Sequence, residues 1–583
     1  MTNPLMPRPR VDRQNCFSET GPLMQNLWLR QYPAGVPPDM PLTLHRSLVA
    51  LLEDSFRQYR ALPACHCLGR DVRYGEIDDA SRALAAWLQS CGLVRGDRVA
   101  LMLPNLPQYL VAVAAVLRAG LVVVNIDPQT TPRELEHQLK DAGAKAIVAI
   151  EQAAATVQAV QRAVPAPQVL ITRPGDMLGL LQGALANHRA RHSPAAVRLP
   201  GAVRWVDALK RGRGLSLQPA APEPGDIAVL QYTGGTTGVA KAAVLLHRNL
   251  VANLAQCRAW YQPALGRIAP GEQMVTVCAL PLHQIFGFNL VMLLGLHMGG
   301  CSLLIPDPSD LSGLLRTLAR HRFHSFPAVS TLFDALARHA DVETVDWSTL
   351  KLSIGGGMAV QPATARLWLA KTGCPVCEGY GLSEASPSVT CNPVTAPAYS
   401  GHVGLPLPGT ELALLDDEGR QLPLLPPGTP GELAVRGPQV MAGYWQRPDE
   451  TARVMSADGW LRTGDVAVMD DRACIRIVDR KKDLIFVSGF NVYPSEVEDV
   501  VAQMPGVLEC AAIGIADAKC GEAVKLVVVR AHSGANSPTE AEVRAWCEAN
   551  LTGYKRPRVV EFRSTLPKTP VGKVLRRALR QDA

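Results

Sequence analysis

The sequence predicts an α/β protein of several layers, and three observations carry that expectation. Apolar runs of strand length alternate with helical patterns over residues 42–150 and again from 226 to about 400. That order builds parallel sheets with helices on their faces. Residues 401–470 switch to short β-like runs, turns such as Asp417-Glu418-Gly419 and many prolines, which predict a small antiparallel sheet or barrel. From about Asp483 a compact α+β tail follows. At 583 residues the chain exceeds what one core organises, so two or more domains are expected.

In chain order, residues 99–103 read as a strand, 107–117 as a helix and 121–126 as a strand. Thr131-Pro132-Arg133-Glu134 reads as a capping box with proline at the first helical position. Residues 146–150 form the next strand. Residues 151–225 are less regular and end in a Pro/Gly-rich linker, RGRGLSLQPAAPEPGD. A second capping box is expected at Ser537-Pro538-Thr539-Glu540. There is no internal repeat.

Composition excludes several classes. The net charge of +7 (59 basic less 52 acidic residues) is scattered in small clusters, without the stripe or motif that nucleic acid binding wants. It allows weak attraction to anionic membrane surfaces or substrates. No apolar run is long enough to span a bilayer; the best, Tyr109 to Ile126, is broken by Arg118, Gly120 and Asn125. The first residues, MTNPLMPRPRVDRQ, lack the apolar stretch of a signal peptide and read as a loose arm. A cytoplasmic location is therefore expected. Fourteen cysteines do not make a disulfide scaffold in a chain of this size. Cys65-His66-Cys67 and Cys374-Pro375-Val376-Cys377 invite a metal or redox reading, but no second pair is spaced for zinc, and both read as buried structural thiols.

The chemistry centres on Tyr232 to Lys241, YTGGTTGVAK. A buried strand, IAVLQY, leads into it and AAVLLH returns from it. Gly234, Gly235 and Gly238 free the backbone to wrap N–H groups around a phosphate. Thr233, Thr236 and Thr237 add hydroxyls, and Lys241 a point charge. The spacing is not that of a Walker A loop. Four further stretches stand out: LSIGGGM at 352–358, EGYGLSE at 378–384, GWLRTGD at 459–465 and VDRKKD at 478–483. Each alone reads equally as a turn or a solvated charge run.

Together and in this order they resemble the adenylate-forming superfamily of acyl-CoA synthetases, luciferases and adenylation domains. The likeness runs from about Leu27 and is nearest to bacterial long-chain fatty acyl-CoA synthetases. It also includes LWLRQYP, RVALMLPNLPQYLVAV, RIVDRKKDLIFVSGFNVYPSEVEDV and LPKTPVGKVLRRAL. The resemblance implies a flexible arm (1–26), an N-terminal domain (27–481) with two α/β sheet subdomains and a small β-barrel, and a mobile C-terminal α+β domain (482–583). It implies a carboxylate attacking ATP to give acyl-adenylate and pyrophosphate, after which coenzyme A displaces AMP.

Roles follow from the resemblance. The Thr233–Lys241 loop would hold the β- and γ-phosphates. Glu384, with Thr236, would hold Mg²⁺, a cation that wants oxygen ligands. Ser383, where relatives more often have threonine, would contact the α-phosphate. Tyr380 would stack on adenine beside Gly356 and Gly357, with Glu378, Gly379 and Gly381 of the same turn also binding the nucleotide. Asp465 would take both ribose hydroxyls. Arg480 would reach ribose or phosphate, with Ile477 nearby. Lys573 would bridge the carboxylate and α-phosphate as charge develops. Lys482 would be the hinge, and Ser488, Gly489 and Phe490 would line the pantetheine channel. A homodimer and a peripheral contact at the inner membrane face are compatible with the resemblance.

Three places depart from the pattern: His283-Gln284 where relatives have Tyr-His, Gln129-Thr130 where they have Leu-Tyr, and Ala328-Val329-Ser330-Thr331 where they often have Gly-Val-Asn-Thr. His283, Gln284, Ala328 and Ser330 are therefore the candidates for the acyl pocket, with apolar faces over 285–296 and 329–336 as its walls or as plain core. A medium- to long-chain fatty acid is the expected substrate. An acyl-AMP ligase, a CoA ligase for another acid and a catalytically silent sensor stay open.

Overall fold

The computed structural model describes residues 28–40, 45–164, 168–190, 199–233, 240–422, 427–487, 490–517, 521–531, 537–569 and 572–581. The arm at 1–26 lies outside them. Among the described residues four sheets carry the fold. The first has seven strands in the order Val203–Arg204, Gln168–Thr172, Ala144–Ile150, Arg98–Met102, Val122–Asn125, Ile227–Thr233, Lys241–Leu246. All neighbours are parallel except the last pair. Parallel strands covered on both faces read as unbroken apolar runs, and Val122–Asn125 is buried throughout.

Helix Pro107–Arg118 is apolar nearly all round and buried along its whole length. That pattern belongs to a helix enclosed by protein. No helix among the described residues is long and apolar enough to cross a membrane. Helix Pro132–Ala142 starts where the capping box predicts: Thr131 Oγ1 accepts from Glu134 N–H, and Gly143 ends it at φ 59°.

The second sheet has nine strands, and its membership differs from the expected division. Strands Val275–Cys278, Cys301–Leu304, Ser325–Ala328, Leu352–Gly355 and Val376–Gly381 form its parallel body. Ser388–Cys391 and Leu405–Pro406 extend one edge antiparallel. The other edge is the early hairpin Pro63–Cys67 and Arg70–Arg73, with Cys65 in register with Ser302. The strands around the glycine-rich loop thus close the first sheet rather than open the second. Strand pairing across more than 200 residues leaves no local pattern to read. The expected linker also has fixed partners. Gln218 N–H donates to Gln89, Ala220 N–H donates to the Arg118 carbonyl, and Asp226 pairs with Arg95.

The third sheet is an antiparallel meander of Glu411–Leu415, Gly431–Arg436, Leu461–Met469 and Ile475–Arg480. A single 3₁₀ turn, Lys481–Asp483, joins it to the fourth sheet. That sheet holds Ile485–Val487, Phe490–Val492, Val507–Asp517, Gly521–Arg530 and Val559–Arg563. Its helix Glu540–Asn550 is capped by Thr539 and Glu542, two residues later than expected. The Pro538 carbonyl is instead taken by Arg530, so the chain turns helical only after it. Cys65, Cys67, Cys374 and Cys377 are free and buried.

Candidate active site at the meeting of the sheets

The glycine-rich loop leaves the edge of the first sheet and returns to it. Thr233 and Lys241 pair across its base, with Thr233 Oγ1 donating to the Lys241 carbonyl at 3.3 Å. Gly234, Gly235, Thr236, Thr237 and Gly238 lie outside the described residues. Lys241 Nζ is paired with Glu450 and stands 5.5 Å from the ring centroid of Tyr444.

Strand Val376–Gly381 of the second sheet carries EGYG and opens into the 3₁₀ turn Ser383–Ala385. Glycine is required at Gly381, because a Cβ there would sit 2.1 Å from the Pro387 carbonyl oxygen. Ser383 and Glu384 are half-buried on the turn. Glu384 Oε1 accepts from the Tyr444 hydroxyl at 2.8 Å, and its carbonyl accepts from Met441 N–H at 2.8 Å. Gly356 abuts Phe286, and Gly357 has φ +79°. Glu378 turns elsewhere: it accepts from Val360 N–H at 2.9 Å, and the Tyr399 hydroxyl donates to the Val360 carbonyl at 2.6 Å. Burial pushes its carboxyl up to about 7. Its part is to hold the loop after Gly357.

Tyr380 reaches the third sheet. Its hydroxyl donates to Asp465 Oδ2 at 2.6 Å, while Arg480 Nε lies 2.9 Å from Asp465 Oδ1. Asp465 and Arg480 are register partners on neighbouring strands, with Ile477 half-buried on the same strand as Arg480. A cavity of about 340 Å³ opens here, lined by Thr463, Gly464, Arg480, Lys481 and Lys482.

Lys573 arrives from the far end of the chain. Its turn is set by Thr569, whose N–H donates to the Lys573 carbonyl at 2.8 Å. Gly572 packs so tightly against the large domain that a Cβ would meet Thr331 Oγ1 at 2.8 Å. Lys573 is half-buried, and its pKa falls to about 8 through desolvation and the nearby charge of Arg480, with Asp465 opposing. Lys482 is shifted down for the same reasons. Phe490 is exposed and stacked on Tyr554 at 4.7 Å. Ser488 and Gly489 lie outside the described residues.

On the acyl side, His283 Nε2 stands 3.6 Å from Asp127 Oδ2, and burial lowers the imidazole pKa. Asp127 also accepts from Gln129 N–H at 2.8 Å, so two of the sequence departures meet at one carboxylate. The Gln284 carbonyl accepts from Phe288 N–H. Ala328 is buried opposite Gly355, and Ser330 Oγ accepts from Gln361 N–H at 3.1 Å. Ile285, Phe288, Met292, Leu296, Phe333 and Leu336 are packed into core.

Reasoning from the sequence missed Tyr444 and Glu450, which join Lys241 to Glu384. The signal was present as Gly443-Tyr444-Trp445 ahead of the proline-started helix Pro448–Val454.

Arg480, Lys481 and Lys482 thus line one space beside the Tyr380–Asp465 pair. The chain belongs to the AMP-binding enzyme family: residues 52–445 match its model, and 496–573 match the AMP-binding enzyme C-terminal domain. It is 48% identical over 566 residues to the long-chain-fatty-acid–CoA ligase of Escherichia coli O6:H1 (96% of this chain, 99% of that one). It is 34% identical over 532 residues to 4-coumarate–CoA ligase-like 9 of Oryza sativa (88% of each). The crystal structure of ATP-bound MatB from Rhodopseudomonas palustris superposes with TM-score 0.79 at 30% identity, over 92% of this chain and 99% of that one.

Proposed function

We propose that the protein joins a medium- to long-chain fatty acid to coenzyme A in two half-reactions at this site. The carboxylate attacks the α-phosphorus of ATP and pyrophosphate leaves; the thiol of CoA then attacks the acyl carbon and AMP leaves. The observation that carries the reading is the seating of the Lys573 turn on the large domain, Gly572 against Thr331, within electrostatic reach of Asp465 and Arg480. A half-buried ammonium there stabilises charge developing between carboxylate and phosphate. Asp465 and Tyr380 receive the nucleoside, and the glycine-rich loop with Lys241 receives the outer phosphates.

The half-buried Glu384 carboxylate suits a hard cation. Mg²⁺ held there with Thr236 would neutralise the phosphates. We place the domain boundary at 481/482 and the pivot at Lys482, within the single turn between the third and fourth sheets. A peripheral contact with the inner membrane face is supported by Leu180 and Leu181, which are 93% and 87% exposed, and by the net charge of +7.

The test is Lys573→Ala assayed in separate half-reactions. Fatty-acid-dependent pyrophosphate exchange should fall by several orders of magnitude, since one lost transition-state donor costs about 3–4 kcal/mol and here a full charge goes. Thioester formation from supplied acyl-adenylate should survive. Equal loss of both in a folded variant contradicts the assignment.

A further inference from the structure

Contacts on either side of Lys482 fix how the two domains face each other. Asp479 is the penultimate residue of the third sheet's last strand, three residues before Lys482, and its side chain is only 2% exposed. Ser495 is the second residue of the first α-helix beyond the hinge, Pro494–Val501. Ser495 N–H donates to Asp479 Oδ2 at 2.8 Å, and Ser495 Oγ donates to the Val478 carbonyl. Arg576, held to Glu498 at 2.6 Å, places Nη1 4.0 Å from Asp479 Oδ1. The donors lie after Lys482 and the acceptors before it.

One hydrogen bond can swivel, but contacts to separate atoms fix an orientation. They cannot all survive rotation about residue 482. Arg580 sharpens the pivot by donating to the carbonyls of Lys482 at 3.3 Å and Asp483 at 3.1 Å. These carbonyls travel with the C-terminal domain, so that rigid body begins at Lys482 itself.

We propose that Asp479 and Ser495 are positioning residues forming a latch across the hinge. The latch holds the arrangement in which Lys573 reaches Asp465 and Arg480, and its strength sets the balance between the two half-reactions. The proposal rests on the reading of Lys482 as the pivot. Asp479 Oδ1 also accepts from Arg480 N–H at 2.7 Å, so Ser495 is the residue whose loss reports the latch alone.

The experiment uses the full chain and compares two rates in each variant: fatty-acid-dependent ATP–pyrophosphate exchange, and thioester formation from supplied acyl-adenylate and CoA. The ratio of second to first cancels any loss of folded protein. Ser495→Ala should raise that ratio about fivefold, the worth of one hydrogen bond expressed as a population shift. Asp479→Ala should raise it further, and Ser495→Thr, which keeps the hydroxyl, should restore it. A ratio within twofold of the parent in Ser495→Ala, or both rates falling together, overturns the latch. Lys482→Pro is the control: it should lower thioester formation far more than exchange. If it splits the rates while Ser495→Ala leaves the ratio unmoved, the latch alone is wrong. If it does not split them, pivot and latch fall together.

Discussion

The Tyr444 hydroxyl donates to Glu384 Oε1 at 2.8 Å while its ring stands 5.5 Å from Lys241 Nζ. One side chain from the third-sheet region thus aligns a carboxylate of the second sheet with a lysine of the first. Tyr444→Phe keeps the ring and removes the donor. A hydrogen bond to a charged group is worth about 1.5–3 kcal/mol, so KM for MgATP should rise at least about tenfold. Calorimetric titration with MgATP checks it. An unchanged affinity would make the hydroxyl a bystander.

Lys573 gives two opposite pH dependences. Below about 8 the folded and unfolded lysines are both charged, and folding bears the cost of burying that charge. As pH rises from about 8 to 10.5 only the folded lysine loses its proton, so stability increases, by up to about 3 kcal/mol. The role proposed for Lys573 needs the charge, so adenylation should fall tenfold per pH unit above about 8 in kcat/KM for ATP. Lys573→Ala should abolish the stability gain in denaturant titrations at pH 7.5 and 9.5. A gain that persists in the variant belongs to another group.

Glu378 titrates the other way. Its folded pKa, about 7, lies above the usual 4.5, so its contribution is fully present below 4.5 and is lost as pH rises through 7. Glu378→Gln keeps an acceptor for Val360 N–H and should flatten that loss. Glu378→Ala leaves the buried N–H unpaired and should destabilise by about 1–3 kcal/mol. Thermal unfolding at pH 5 and 8 separates the two. Equal behaviour of both variants would show that the carboxylate does not hold the loop.

The acyl pocket should report itself through chain length. Each methylene buried is worth about 0.8 kcal/mol, or about fourfold in kcat/KM. Rates should climb a few hundredfold over about four methylenes and then level off. Ala328 is fully buried opposite Gly355, so Ala328→Gly opens space beside the loop. The plateau should then move to longer acids with the slope below it unchanged. An unmoved plateau would leave Ala328 as packing.

What the sequence made legible was local. Thr131 and Glu134 mark a helix start because both capping partners lie within three residues. The strands entering and leaving the glycine-rich loop are readable as apolar runs. Their membership of the first sheet is not, because strand partners are chosen by long-range packing. The hairpin at Pro63–Cys67 is the extreme case: its parallel partner is Cys301–Leu304. At the site, glycines and charges announced themselves through motif spacing. Glu378 did not reveal that it faces Val360, since only burial and direction decide that. The apolar faces at 285–296 and 329–336 could be core or tunnel on periodicity alone, and the described side chains pack as core.

The most direct measurement is product formation from the purified chain with ATP, Mg²⁺ and a medium- or long-chain fatty acid, before and after adding CoA. Without CoA, the acid should drive one burst of pyrophosphate with acyl-adenylate retained. With CoA, acyl-CoA, AMP and pyrophosphate should appear in equal amounts over many turnovers. Release of ADP and phosphate, or pyrophosphate independent of the fatty acid, would contradict the account.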